Sequence, residues 1–327
     1  MDDHVREYIA RIMSLLRKGA ARGTATSHPL DLPGAIFSIL TSREFCYLGR
    51  TRTEPYRERT VAEIARNIQA GEPVRFYYDI GAGYHASIDP SRFGLVFGVG
   101  FSELCVLAQV ASFCNRVAEI HAPGARFILV IDNVCGLMTN DIPLENTKAY
   151  CADLRALIAQ TGTGDRVDVL VESEAFSVSE YGIDPARLRR DIATINPSPE
   201  DVENVGRFLG RPCDETEAVE RMARYRQAGE MTEDRLERVV CGVRMTQRAT
   251  GATLGFRPFP GGDSRTQVGE LGITCNAKGN LRPVLLTSRN VQRYRCTRLE
   301  YPDLLPSTIR YVTFAEPADS PTSHHEK

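Results

Sequence analysis

Three short apolar runs of this chain end on side chains that can move protons. Val74–Ile80 ends in Asp79 and Ile80, then passes through Gly81 and Gly83 to Tyr84 and His85. Phe127–Ile131 ends in Asp132 and Asn133, with Asn140 and Asp141 on the loop expected to follow. Arg166–Glu172 ends in Glu172, followed by Ser173 and Glu174. Carboxylates gathered beside a histidine perturb one another's pKa values and serve as general acid and base. Each residue also has an ordinary reading: Asp132 can cap the next turn through its side chain, and the others can cap helices or face water.

Two further sets matter. Glu103 stands three residues after Gly100 at an expected helix start, where the macrodipole favours negative charge and free N–H groups can face a ligand. Arg257 and Arg265 flank the turn FPGGDS and could grip a phosphate or carboxylate in bidentate fashion, although an ordinary solvated face would look the same. Positive charge is almost all arginine, since lysine occurs only at 18, 148, 278 and 327. Schiff-base chemistry therefore has few candidates and arginine recognition of anions has many.

The elements that must position these residues follow from periodicity. Phe127–Ile131, too short for a helix and rich in β-branched residues, reads as a strand buried on both faces. The other two runs read as its neighbours. Leu104, Leu107, Ala108, Ala111, Cys114 and Val117 recur at helical spacing between the first two strands, and Tyr150, Leu154, Leu157 and Ile158 do so between the second and third. Strand, helix, strand, helix, strand in this order predicts a parallel α/β sheet with right-handed crossovers, whose ligand crevice lies beyond the carboxyl ends of the strands.

Around that core, at 72–183, the spacing predicts a helical segment over 1–71. It includes a helix from Asp2 to Arg17 and another over Val61–Ala70, entered at Thr60 with Glu63 in a capping box. Arg92–Phe97 could be a further strand. Residues 184–243 read as a helical cap whose last helix, Asp214–Val240, is expected to split near Gly229. Residues 244–315 read as an antiparallel β meander, and the tail 316–327 as disordered.

Composition sets outer bounds. The 327 residues are 42% hydrophobic and 25% charged with a formal net charge of -2, which excludes a generally basic nucleic-acid binder. No run reaches membrane-span length, and the first residues lack the order of a secretory signal. Nine cysteines with no CxxC pair argue for reduced thiols in a cytoplasm and against a zinc site. Gly98-Val99-Gly100 is not a dinucleotide fingerprint, and phosphate-loop, zinc-helix and nucleophile-elbow motifs are absent.

From Glu72 to about Leu157 the chain resembles the isonitrile synthase family, also called the pyoverdine/dityrosine biosynthesis family. The matching order is VRFYYDIG, FGVGFSE, LCVLAQVASFCNRVAEIHAPGA, RFILVIDN, MTND and AYCADLRALI, with HAPGARFILVID the most similar stretch. The resemblance implies a Rossmann-like α/β fold and conversion of an amino acid, typically tyrosine or tryptophan, to its isonitrile. The added carbon would come from a pentulose phosphate, with no metal or nicotinamide cofactor. Glu103 and Asp132 carry over as active-site residues, together with Asp141. Three positions depart from the family: DIGAGYHAS replaces its proline-, phenylalanine- and lysine-containing loop, Val99-Gly100 its proline–aspartate pair, and Asn133 the glycine of its aspartate–glycine pair.

The expectation is therefore a cytoplasmic biosynthetic enzyme with Asp132, Glu103 and His85 in catalysis. Arg257, Arg265, Asn133, Asp141, Asp79 and Tyr84 would bind an amino acid and a phosphosugar. No cofactor, metal, nucleic acid or membrane is called for, and a homodimer is allowed. A different small-metabolite enzyme on the same scaffold, or a non-catalytic binding module, would share these features. In a module the strand-end carboxylates should scatter.

Overall fold

The computed structural model describes residues 2–17, 30–79, 98–140, 142–177, 181–209, 212–245, 253–261, 270–276, 280–286 and 293–318. In chain order the helices are α1 (Asp2–Arg17), α2 (Leu32–Leu40), α3 (Arg50–Thr53), α4 (Arg57–Gln69), α5 (Phe101–Ala118), α6 (Asn133–Asn140), α7 (Asn146–Thr161), α8 (Glu172–Ala175), α9 (Pro185–Thr194), α10 (Pro199–Leu209) and α11 (Glu215–Val240). The strands are β1 (Val74–Asp79), β2 (Ala125–Ile131), β3 (Val167–Val171), β4 (Val243–Arg244), β5 (Glu270–Cys275), β6 (Leu281–Leu286), β7 (Tyr294–Leu299) and β8 (Val312–Pro317).

The fold is mixed α/β and Rossmann-like. Its central sheet has the order β3-β2-β1-β4, with every pair parallel. The chain builds outward from β1 to β2 to β3, then crosses to the far side of β1 to add β4. That reversal makes the β1/β4 boundary the topological switch point, where α/β sheets open a crevice beyond their strand ends.

Both faces of the sheet are covered. On one side Phe76, Phe113 and Phe127 pack in mutual ring contact, with Phe76–Phe113 centroids 5.0 Å apart and Phe113–Phe127 5.6 Å apart. Phe45 and Phe256 extend this aromatic group, which α1, α5 and α7 join in one core. On the other side Tyr77, Ile128 and Val130 meet Leu236 and Val240 of α11. Full burial of β2 explains its unbroken apolar run.

Several sequence expectations are corrected. The helix expected from Thr60 starts at Arg57, so Thr60 is buried within it and Glu63 forms no cap there but pairs with Arg66. Residues 50–56, ahead of that helix, form one helical turn followed by a 3-10 turn. The loop expected after Asn133 is helix α6, covered by α11. Helix α11 runs unbroken through Gly229, because a face of Ala218, Ala223, Ala228, Thr232, Leu236 and Val240 is held in the core. That helix is a layer of the sheet's packing, and β4 follows it at once.

The C-terminal strands form a second sheet of order β6-β5-β8-β7, in which β5–β8 is parallel and the other pairs are antiparallel. It is not a simple meander, since β8 inserts between β5 and β7 and carries ordered chain to Pro317, past the expected start of the tail. Within the part expected as a meander, residues 253–261 contribute no strand to this sheet; Phe256 makes an isolated antiparallel bridge with Cys46. Expected strand Arg92–Phe97 lies outside the described residues. Among the described residues no helix is long and apolar enough to cross a membrane.

Candidate active site

The ends of the three central strands are held in register. Asp79, the last residue of β1, is level with Val130, and Ile131 of β2 is level with Val171 of β3. Asp132 and Glu172 are therefore the first residues beyond one paired position on neighbouring strands. Strand alternation sets Asp79 on the same face as Tyr77. The sheet thus brings Asp79, Asp132 and Glu172 to one edge, as the sequence pattern implies.

Two latches tie that edge together. Asn133, 2% exposed, donates through Nδ2 to Thr147 Oγ1 at 3.0 Å and to Ser173 Oγ at 2.8 Å. Its Oδ1 accepts from the Ser173 N–H at 3.1 Å. Glu172, fully buried, accepts from the Cys135 N–H at 3.1 Å through Oε2, which places a carboxylate at the start of α6. Asn133 and Glu172 thus join the ends of β2 and β3. Asp132 is half-buried, and its backbone carbonyl accepts from Gly136 N–H at 2.8 Å, the first turn of α6.

Glu103 occupies the start of α5, which leads back from the same sheet edge. Gly98 enters this helix at φ 101°, a conformation open to glycine, and Gly100 N–H donates to Glu103 Oε2 at 2.8 Å. Tyr150 on α7 donates its hydroxyl to Glu103 Oε1 at 3.3 Å. Glu103 is 2% exposed, and burial pushes its carboxyl up to about 7, against the lowering effect of its backbone and Tyr150 hydrogen bonds. A carboxyl poised near neutral pH exchanges protons readily in either direction. Beside it, Ser102 Oγ is buried with no hydrogen-bond partner among the described residues. Such orphan groups need an explanation, and a bound ligand is one.

The remaining expected site residues distribute as follows. Arg257 lies on the segment beside β1, with its Nε donating to the Cys46 carbonyl at 3.1 Å and its own N–H to the Phe45 carbonyl at 2.7 Å. His85, Tyr84, Asp141 and Arg265 lie outside the described residues. Tyr150 escaped sequence reasoning because its spacing marks only an apolar helix face. Among the described residues no His, Cys, Asp and Glu group is arranged to hold a metal ion.

No protein-family model and no curated protein matches the chain by sequence. A solved structure does match in three dimensions. The PvcA protein from Pseudomonas aeruginosa superposes with a TM-score of 0.62 at 17% identity, over 88% of this chain and 100% of PvcA. The chain therefore has the fold of PvcA over 88% of its length.

Proposed function

We propose that this chain is a biosynthetic enzyme of the isonitrile synthase type, which condenses the amine of an amino acid with a pentulose phosphate. The observation that carries the reading is Glu103: a buried carboxyl, raised to about 7, at the helix start where the family resemblance places an active-site glutamate. The fold shared with PvcA, a protein of the pyoverdine/isonitrile synthase family, supports it.

An amine attacking a ketose carbonyl must shed a proton, and loss of the carbinolamine hydroxyl needs an acid. Glu103 and Asp132 are the two groups we assign to these transfers, with His85 carrying protons to and from them. Glu103 suits the acid's part, since it keeps its proton nearly to neutrality. Arg257 and Arg265 would hold the phosphate, Asp79 and Tyr84 the amino acid, and Asp141 the loop beyond β2. Asn133, with both ends of its amide engaged, would act by fixing the backbone next to Asp132. The substrates would be small and soluble, and the reaction would draw on no nicotinamide or metal.

The test is direct. Purified protein is incubated with ribulose 5-phosphate and each amino acid in turn, and products are read by mass spectrometry. An isonitrile from one amino acid supports the assignment; none from any amino acid removes it. A second reading, another small-metabolite enzyme on this fold, is favoured by Asn133, which replaces a family glycine with a side chain that latches two strands. A product other than an isonitrile in the same assay would select it.

A further inference from the structure

A pocket separate from Glu103 opens at the β1/β4 switch point, between α4, β4 and the start of the chain's return beside it. Arg59, Glu63, Tyr77, Glu237 and Arg244 line it. The Glu63 carboxylate is taken up by Arg66. The other charged groups form an unusual arrangement: one carboxylate between two guanidinium groups. Arg59 Nη2 donates to Glu237 Oε1 at 3.2 Å, and Arg244 Nη2 to Glu237 Oε2 at 3.4 Å.

The three partners differ in how firmly they are held. Arg244 is 10% exposed and fixed from behind: its Nε donates to the Tyr77 hydroxyl at 2.6 Å, its Nη2 to the Glu233 carbonyl at 3.0 Å, and its Nη1 lies 3.6 Å from the Glu233 carboxylate. Glu237 and Arg59 are 58% and 62% exposed. Glu237 can therefore swing to solvent at little cost, since ion pairs this exposed are weak. With Glu237 away, Glu233 still balances Arg244 and Arg66 balances Glu63, but among the described residues Arg59 keeps no other ion pair and stands beside a preorganised guanidinium.

We propose that this pocket binds the oxyanion group, phosphate or carboxylate, of a small ligand, and that Glu237 is a resident placeholder which the ligand displaces from Arg59 and Arg244. Two guanidinium groups converging on one carboxylate reproduce the contacts that a ligand anion would make. The site does not depend on the reaction proposed above and would stand if that reaction failed.

Calorimetric titration of the full chain with inorganic phosphate, and separately with acetate, at constant ionic strength tests this. Removing the competitor in Glu237→Gln should tighten binding about tenfold, and Arg59→Gln should weaken it about tenfold. Binding by Glu237→Gln where the native chain shows none also supports the proposal. Both substituted side chains are more than half exposed, so the fold is retained, as thermal unfolding will verify. A stronger response to phosphate identifies a phosphorylated ligand, and an equal response to acetate a carboxylate. Affinity unchanged in Glu237→Gln, or retained in Arg59→Gln, overturns it. So does an equal loss in Arg155→Gln, whose partner Glu174 lies elsewhere on the surface.

Discussion

The Tyr150 hydroxyl and the Gly100 N–H hold the two oxygens of the Glu103 carboxyl, at 3.3 Å and 2.8 Å, and the residue is 2% exposed. Tyr150 comes from α7 and Gly100 from the turn before α5, so one side chain joins two helices that follow different strands. The charged form is stabilised by these bonds yet penalised more by burial, and the proton therefore stays on to about pH 7.

That balance predicts how stability follows pH. Glu103 has a folded pKa of about 7 against an ordinary 4.5, so between these values the folded chain binds the extra proton and stability falls as pH rises. The loss attributable to Glu103 is on the order of 3 kcal/mol and is complete above the folded pKa. Glu103→Gln removes the charge; its amide oxygen can accept from the Gly100 N–H and its Nε2 can donate to the Tyr150 hydroxyl, reversing that bond. Urea unfolding at pH 5 and pH 8 should show the variant gaining on the native chain by this amount at the higher pH.

Asn133→Gly installs the residue that the resembling family uses and removes two hydrogen bonds between the ends of β2 and β3, both with Ser173, and one to Thr147 on α7. Leaving Thr147 and Ser173 without these partners should cost ~2–3 kcal/mol. The urea midpoint should fall, and hydrogen exchange should accelerate in α8 before it does in β1.

Gly242 meets β1 so closely that a Cβ there would lie 2.7 Å from the Arg75 carbonyl oxygen. Gly242→Ala must push β4 away from β1 and should cost ~1–3 kcal/mol in chemical denaturation, by overpacking against backbone that cannot yield. The effect should appear in exchange of the Met245 N–H, which donates to the Tyr77 carbonyl at 3.0 Å.

Arg166, 4% exposed, reaches the Leu16 carbonyl at 3.2 Å and the Asn115 Oδ1 at 3.3 Å, and so ties the end of α1 to α5. Arg166→Met fills the volume but leaves these acceptors unsatisfied, at a cost of ~2–4 kcal/mol. Exchange protection should drop first in residues 2–17.

The central sheet was legible because its three long strands announce themselves. VRFYYD, ARFILVI and VDVLV are apolar runs bounded by turns; β1 and β2 are largely buried on both faces, and β3, half-buried at the sheet's edge, keeps the same β-branched content. Strand β4 was not legible: two residues, Val243 and Arg244, carry no period, and only pairing with Phe76 and Tyr77 makes them a strand. Helix α6 hid behind Gly136 and its two asparagines, weak helix formers that the contact with α11 overrides. Strand β8 did carry a signal in VTFAEP, masked by the polar tail that follows. At the site, the aspartates and Glu103 were visible as residue types at strand and helix ends. Tyr150 and the Arg59–Glu237–Arg244 arrangement were not, because they arise from side chains meeting across elements far apart in sequence.

The assignment of Asp132 as a proton-transfer group is open to one decisive measurement. Asp132→Asn preserves size and leaves the backbone contact with Gly136 in place. Turnover of ribulose 5-phosphate with the accepted amino acid, followed by mass spectrometry, should be abolished in this variant while its urea unfolding matches the native chain. Turnover at the native rate in a folded Asp132→Asn protein would contradict the account.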